Sequence, residues 1–202
     1  MISNLLLSLD LSTTCTGWAI FNIEDKALMH YGTIKSNAKK INKLIYPERQ
    51  LLKIKNICVQ IVELVLKYNP STIVIEEINR HKSRMSGKTL DMLHGVLLLM
   101  FLECGIINKI RFKDSDGLTG WRTLLHLRLS EADKVKNKER KKSNKKIKKG
   151  IKKLPKINKK HLACRYVNAK YGTTFDVDLN ATDNDVVDAI GLGSAFLKFG
   201  GK

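Results

Sequence analysis

Three observations in the 202-residue sequence predict an α/β fold. Two apolar runs near the start, residues 5–9 and 18–21, are split by turn residues and read as the strands of a hairpin. Thr72–Glu76, T-I-V-I-E, is a short β-branched run between two helical patterns, as a buried parallel strand is. The apolar residues before and after it recur at helical spacing. A hydrophobic content of 43% suits one globular domain with a substantial core.

The first strand delivers a lone acid, Asp10, to its end. Ser12, Thr13, Thr14, Thr16 and Gly17 form the turn behind it. A carboxylate there is awkward to bury without a partner. A cation would be one, and the turn's hydroxyls and amides suit phosphate oxygens. A solvated acid opening a turn is the plainer alternative. Residues 27–34 add a third antiparallel strand. Ile54, Ile57, Ile61, Leu64, Val65 and Tyr68 mark a helix within 41–68, stopped by Asn69-Pro70.

After the Thr72–Glu76 strand comes a basic loop, 80–88, holding Arg80, His81, Lys82, Arg84, Gly87 and Lys88. The helix predicted over 89–104 is apolar nearly all round, so it is a core element or one shared with a second copy of the chain. Residues 109–113 read as a fifth strand. A short amphipathic helix is predicted over 118–129, with Trp121, Leu124 and Leu125 inside and Arg122 and Arg128 on its wetter side.

A formal charge of +18 points to a polyanionic partner, nucleic acid before an anionic membrane surface. Residues 134–160 hold 15 Lys or Arg against one acid, Glu139, and so carry +14 of that charge. Such blocks repel themselves and are usually disordered when free. This one reads as a solvated insert or as an electrostatic arm, each neutralised phosphate steepening the salt dependence by about 0.9 in log–log slope. No aromatic is interleaved, so its contacts would be to phosphates. Cys15, Cys58, Cys104 and Cys164 stand far apart, which speaks against zinc or a disulfide framework and suits a reducing cytosol. No basic leader precedes the first apolar run, and the longest apolar stretch, 96–102, is too short to span a bilayer. A cytoplasmic protein without membrane contact is expected.

Helices over 161–171 and 182–198 close the chain. Thr182 and Asp185 match a capping box, and Asp183 suits a helix's first turn. Asp188 has no such account, lying in the second turn among Val186, Val187, Ala189 and Ile190. Asp185 and Asp188 stand at i, i+3, about 5–6 Å apart. Two like charges on an apolar helix repel each other and lose hydration together, a penalty that a divalent cation reverses. The ends of adjacent parallel strands share one sheet edge, so Asp10 and Glu76 can meet this pair there. Four convergent carboxylates suit two Mg²⁺ ions about 3.5–4 Å apart for phosphodiester hydrolysis, one activating water and one stabilising the leaving oxygen. Mn²⁺ is expected to substitute.

The order D…E…D-x-x-D is carried by S-L-D-L-S-T-T-C-T-G-W-A-I, I-V-I-E-E and D-N-D-V-V-D-A-I-G-L-G. It resembles the RuvC-type Holliday junction resolvases of the RNase H-like superfamily. W-R-T-L-L and the basic insert bring it nearest the phage and poxvirus branch, and the Lys/Ile/Asn bias suits an AT-rich phage genome. The resemblance implies a five-stranded mixed sheet flanked by helices, with Asp10, Glu76, Asp185 and Asp188 as catalytic, metal-holding residues. It also implies a homodimer, here through the 89–104 helix, whose subunits each nick one strand of a four-way DNA junction. Arg80, Lys82, Arg84, Lys88, Arg122, Lys159 and Lys160 are the expected DNA contacts.

Two departures from that family stand out. Asn79 occupies the position where cellular members carry an aromatic that bears on the junction. Glu77 follows Glu76 directly, and strand alternation admits one of them to the site, with Glu76 expected. Two other readings keep the nucleic acid: a broader nuclease for forks and flaps, and a binding protein without catalysis. D-L-S-T-T-C-T-G also resembles the phosphate-1 loop of actin-like kinases and ATPases, but the chain is too short for two such domains and has no second glycine-rich phosphate loop.

Overall fold

The computed structural model describes residues 4–36, 43–77, 84–146, 153, 155–176, 178 and 181–200. Its strands are β1 (Leu5–Asp10), β2 (Cys15–Asn22), β3 (Leu28–Lys35), β4 (Thr72–Glu76) and β5 (Ile110–Lys113). They form one sheet in the order β3-β2-β1-β4-β5. β1, β2 and β3 make an antiparallel meander, while β4 runs parallel to β1 and β5 parallel to β4. The mixed five-stranded sheet expected from the sequence is the one observed.

Period-two alternation sorts the strand side chains onto two faces. Leu7, Leu9, Ile20, Ile73 and Ile75 pack under α1 (Glu48–Tyr68) and α2 (Arg84–Glu103), meeting Ile57, Ile61, Leu93 and Leu97. Leu6, Ala19, Phe21 and Val74 face the other way. They meet Trp121 of the single-turn α3 (Trp121–Leu124), and the buried sides of α5 (Lys159–Tyr171) and α6 (Ala181–Phe199). The same alternation assigns Ser8 and Asp10 of β1, and Glu76 of β4, to the α6 face.

Several boundaries differ from expectation for local reasons. α1 begins at Glu48, not near 41, because Pro47 lacks an N–H and disfavours helical backbone in the residue before it. It ends at Asn69, left-handed at φ 44°, whose N–H donates to the Val65 carbonyl at 2.8 Å. α2 starts at Arg84, five residues early, since Arg84–Lys88 holds no proline and its one glycine, Gly87, costs a helix only about 1 kcal/mol. It closes on Gly105 at φ 70°, with the Ile106 N–H on the Phe101 carbonyl at 2.9 Å. α6 opens at Ala181, which puts Thr182 inside its first turn.

The 118–129 helix is corrected to the four residues of α3, because His126 takes φ 56° and breaks the run. Burying Trp121, roughly 200 Å² of ring surface, holds that turn in place with about 5 kcal/mol of area burial. The basic block also departs from expectation. Its first half is helical, in α4 (Glu131–Lys146). Ser130 and Asp133 cap it reciprocally: the Asp133 N–H donates to Ser130 Oγ at 3.1 Å and the Ser130 N–H to Asp133 Oδ2 at 3.3 Å. Asn137 then clamps the returning chain, its Nδ2 donating to the Ile157 carbonyl (2.9 Å) and its Oδ1 accepting the Ile157 N–H (2.8 Å). Among the described residues, no helix is long and apolar enough to cross a membrane.

Candidate active site

Register brings the first two acids together. β1 and β4 are paired in parallel up to Leu9 with Ile75, and the next residue on each strand is Asp10 and Glu76. Glu77 points away and is exposed, its N–H spent on the Lys113 carbonyl at 2.9 Å.

Glycines bring α6 over that edge. A Cβ on Gly17 would lie 1.8 Å from the Asp185 carbonyl oxygen, so the first turns of α6 can touch β2 there only because the side chain is missing. Gly191 makes room for the Trp121 ring and Gly193 for Phe21 and Ser8. Ser8 Oγ completes the contact by donating to the Ala189 carbonyl at 2.7 Å. The G-L-G of the last helix is therefore a packing device that seats Asp185 and Asp188 over β1.

One guanidinium sits among the acids. Arg122 Nη2 donates to Asp188 Oδ2 at 2.9 Å and Nη1 lies 3.8 Å from Glu76 Oε1, with all three side chains under a fifth exposed. The guanidinium also lies over the Trp121 ring, 4.3 Å from its centroid. Trp121 Nε1 donates to Glu76 Oε2 at 3.0 Å, fixing one oxygen of that carboxylate. Asp188 Oδ1 and Arg122 Nε are buried and meet no hydrogen-bond partner among the described residues.

The acids feel this crowding. Burial, then Glu76, Asp188 and Asp185 in turn, push the Asp10 carboxyl well above its ordinary value, with Arg122 opposing them. Asp188 is pushed up to about 6, by burial first, against the pull of Arg122 and Lys160. Asp185 is raised by burial, an effect opposed by the Cys15 thiol and by Lys160 and Lys35. Cys15 itself is held at about 11 by burial and by Asp185. Arg122 is raised, since Asp188, Glu76, Asp10 and Asp116 outweigh the burial that works against its charge.

The donor set fits a hard divalent cation: carboxylate oxygens from three elements, mutually repelling, with one buried oxygen unmet. As they stand, no three acidic, His or Cys groups among the described residues are gathered closely enough to hold a metal ion. Arg122 occupies the middle of the cluster instead.

Of the expected DNA contacts, Lys88, Lys159 and Lys160 are exposed. Lys159 pairs with Asp116 at 2.6 Å, and Lys160 is near enough to act on Asp185 and Asp188. The wetter side expected for Arg122 is corrected. Arg122 faces inward on the acids and is only 13% exposed, because the single turn of α3 presents it to Glu76 and Asp188. Arg80 and Lys82 lie outside the described residues, as does Asn79, and Arg84 opens α2. Trp121 and Gly17 are functional residues that the sequence expectations leave out of the site; for Trp121 the signal is a tryptophan directly beside an arginine in W-R-T-L-L.

No protein-family model matches the chain. The chain superposes on Thermus thermophilus RuvC in complex with a Holliday junction substrate, with TM-score 0.56 and 10% identity over 97% of this chain and 96% of that one. The chain has the fold of the RuvC-type resolvases. The yeast mitochondrial Holliday junction resolvase Ydc2 shares the RuvC-type fold at TM-score 0.52 and 16% identity, over 96% of this chain and 77% of that one. In sequence, the crossover junction endodeoxyribonuclease RuvC of Orientia tsutsugamushi (strain Boryong) is 28% identical over 96 residues, 46% of this chain. That match spans about half the length of the curated relative, 55%. The similarity to RuvC-type resolvases read from the acidic motifs is thus met in both sequence and fold.

Proposed function

We propose that this chain is a divalent-metal-dependent endonuclease that resolves four-way DNA junctions by paired nicks. The observation that carries the reading is that Asp10 and Glu76 end adjacent parallel strands of a RuvC-type sheet beside Asp188 of α6, with Arg122 between Glu76 and Asp188 and a buried Asp188 oxygen unmet. Asp10, Glu76, Asp185 and Asp188 would hold two Mg²⁺ ions, with Mn²⁺ as a substitute. Such ions supply an activated water and charge stabilisation at the leaving 3′-oxygen.

The protein's own groups orient and bind. Trp121 holds one oxygen of Glu76, so that the carboxylate keeps a single direction at the strand end. Lys160 places a cation beside Asp185 and Asp188, and Lys159, paired with Asp116, adds a second on the same helix, where a DNA backbone bearing the reacting phosphate would run. A groove of about 870 Å³ lies between α4 and the returning chain; Leu127, Leu129, Ile157 and Leu162 give it a largely apolar floor, and Arg128, Lys134, Lys138, Lys141 and Lys156 add cations around it. It suits the phosphates of one junction arm. Paired nicks require two sites, and α2 offers the face for a homodimer. Leu99 and Leu102 are 55% and 59% exposed on it, and Gly95 leaves open space beside them. The long basic insert favours the phage and poxvirus branch, acting on DNA in the cytoplasm.

Incubation in Mg²⁺ with an end-labelled immobile four-way junction, a fork and a plain duplex tests this. Paired symmetric nicks confined to the junction are expected. Equal cutting of fork and junction would replace the resolvase with a broad branched-DNA nuclease. Binding without cutting in any divalent metal would contradict a nuclease.

A further inference from the structure

We propose that Arg122 is an internal stand-in for the divalent cation: its guanidinium holds Glu76 and Asp188 together in the metal-free protein and must leave them when metal binds. The inference rests on the metal-dependent reading of this site.

The geometry is specific. Arg122 reaches acids from two different elements, Asp188 of α6 at 2.9 Å and Glu76 of β4 at 3.8 Å, and both carboxylates are largely buried. Without a cation between them, Glu76 and Asp188 would face each other largely buried, an arrangement that is strongly unfavourable. The guanidinium is nonetheless an incomplete fit, since its Nε and Asp188 Oδ1 are both buried and unmet among the described residues. A buried carboxylate oxygen and a buried N–H that fail to find each other mark a substitute partner. The Trp121 face beneath the guanidinium, 4.3 Å away, gives the cation an apolar support outside the acids. Glu76 has its own second anchor in Trp121 Nε1, so it stays in position when the guanidinium withdraws.

A structural anchor and a stand-in make opposite predictions for metal affinity. Removing an anchor weakens the metal site; removing a competing cation strengthens it. Arg122→Gln and Arg122→Lys should be compared with the parent by thermal melting in EDTA and across a Mg²⁺ titration, with no substrate present. Arg122→Gln is expected to melt below the parent in EDTA and to gain more from Mg²⁺. Its half-saturating Mg²⁺ concentration should fall about tenfold, the equivalent of one lost charged hydrogen bond. Arg122→Lys should stay near the parent in both respects. If Arg122→Gln is unfolded in EDTA, its refolding on addition of Mg²⁺ supports the substitution of one cation for the other. Failure of Mg²⁺ to refold it, or a half-saturation equal to or above the parent's, overturns the role of Arg122. The absence of any Mg²⁺ effect in the parent and the variants alike overturns the metal site itself.

Discussion

Asp10 and Asp188 are where the site opposes the fold. Both carboxyls are raised, Asp188 to about 6 from an ordinary 3.8. A raised acid binds more protons in the native state than in the unfolded chain between those two values, so stability falls as pH rises through the window. The metal-free protein should therefore melt a few degrees higher at pH 5.5 than at pH 7.5, at about 2–4 °C per kcal/mol for a chain of this size. Saturating Mg²⁺ should flatten or reverse that trend, because it binds the deprotonated acids. A melting temperature in EDTA that rises steadily with pH would contradict the crowding. The acids themselves were legible in the sequence, since strand alternation and an i, i+3 spacing on an apolar helix fix their directions. Arg122 was not, because its side was judged from a helix that does not continue past α3, and ion pairing holds it inside.

At the scale of elements, α4 was the least legible part of the chain. Charge alone suggests a self-repelling insert, and the Ser130–Asp133 cap that starts the helix is a short local signal beside fifteen basic residues. The Asn137 clamp on Ile157 joins residues 20 apart through a backbone contact and leaves no periodic trace. Lys134, Lys138 and Lys141 follow i, i+4 and i+7 spacing on one side of α4, and all three line the groove beside it. Changing these three to Gln should leave melting unchanged and lower the log–log salt slope of junction binding by about 2–3. An unaltered slope would mean that the groove does not follow the DNA backbone. The strands were legible because each is short, apolar and bounded by turn residues, whereas helix starts moved wherever a proline or a permissive polar run decided them.

Across the whole molecule, the two faces of the sheet divide the work. One packs α1 and α2, leaving the Leu99 and Leu102 stripe outward; the other seats α3, α5 and α6 and gathers the acids at the end of β1 and β4. Gly17, Gly191 and Gly193 make that second face close enough to function as one site. The sharpest test of the acid cluster as the cutting centre is to measure binding and cleavage of a labelled four-way junction by Asp10→Asn beside the parent in Mg²⁺. The parent should nick and the variant should bind the junction equally well without a detectable nick. Cleavage by Asp10→Asn at the parent's rate would contradict the account.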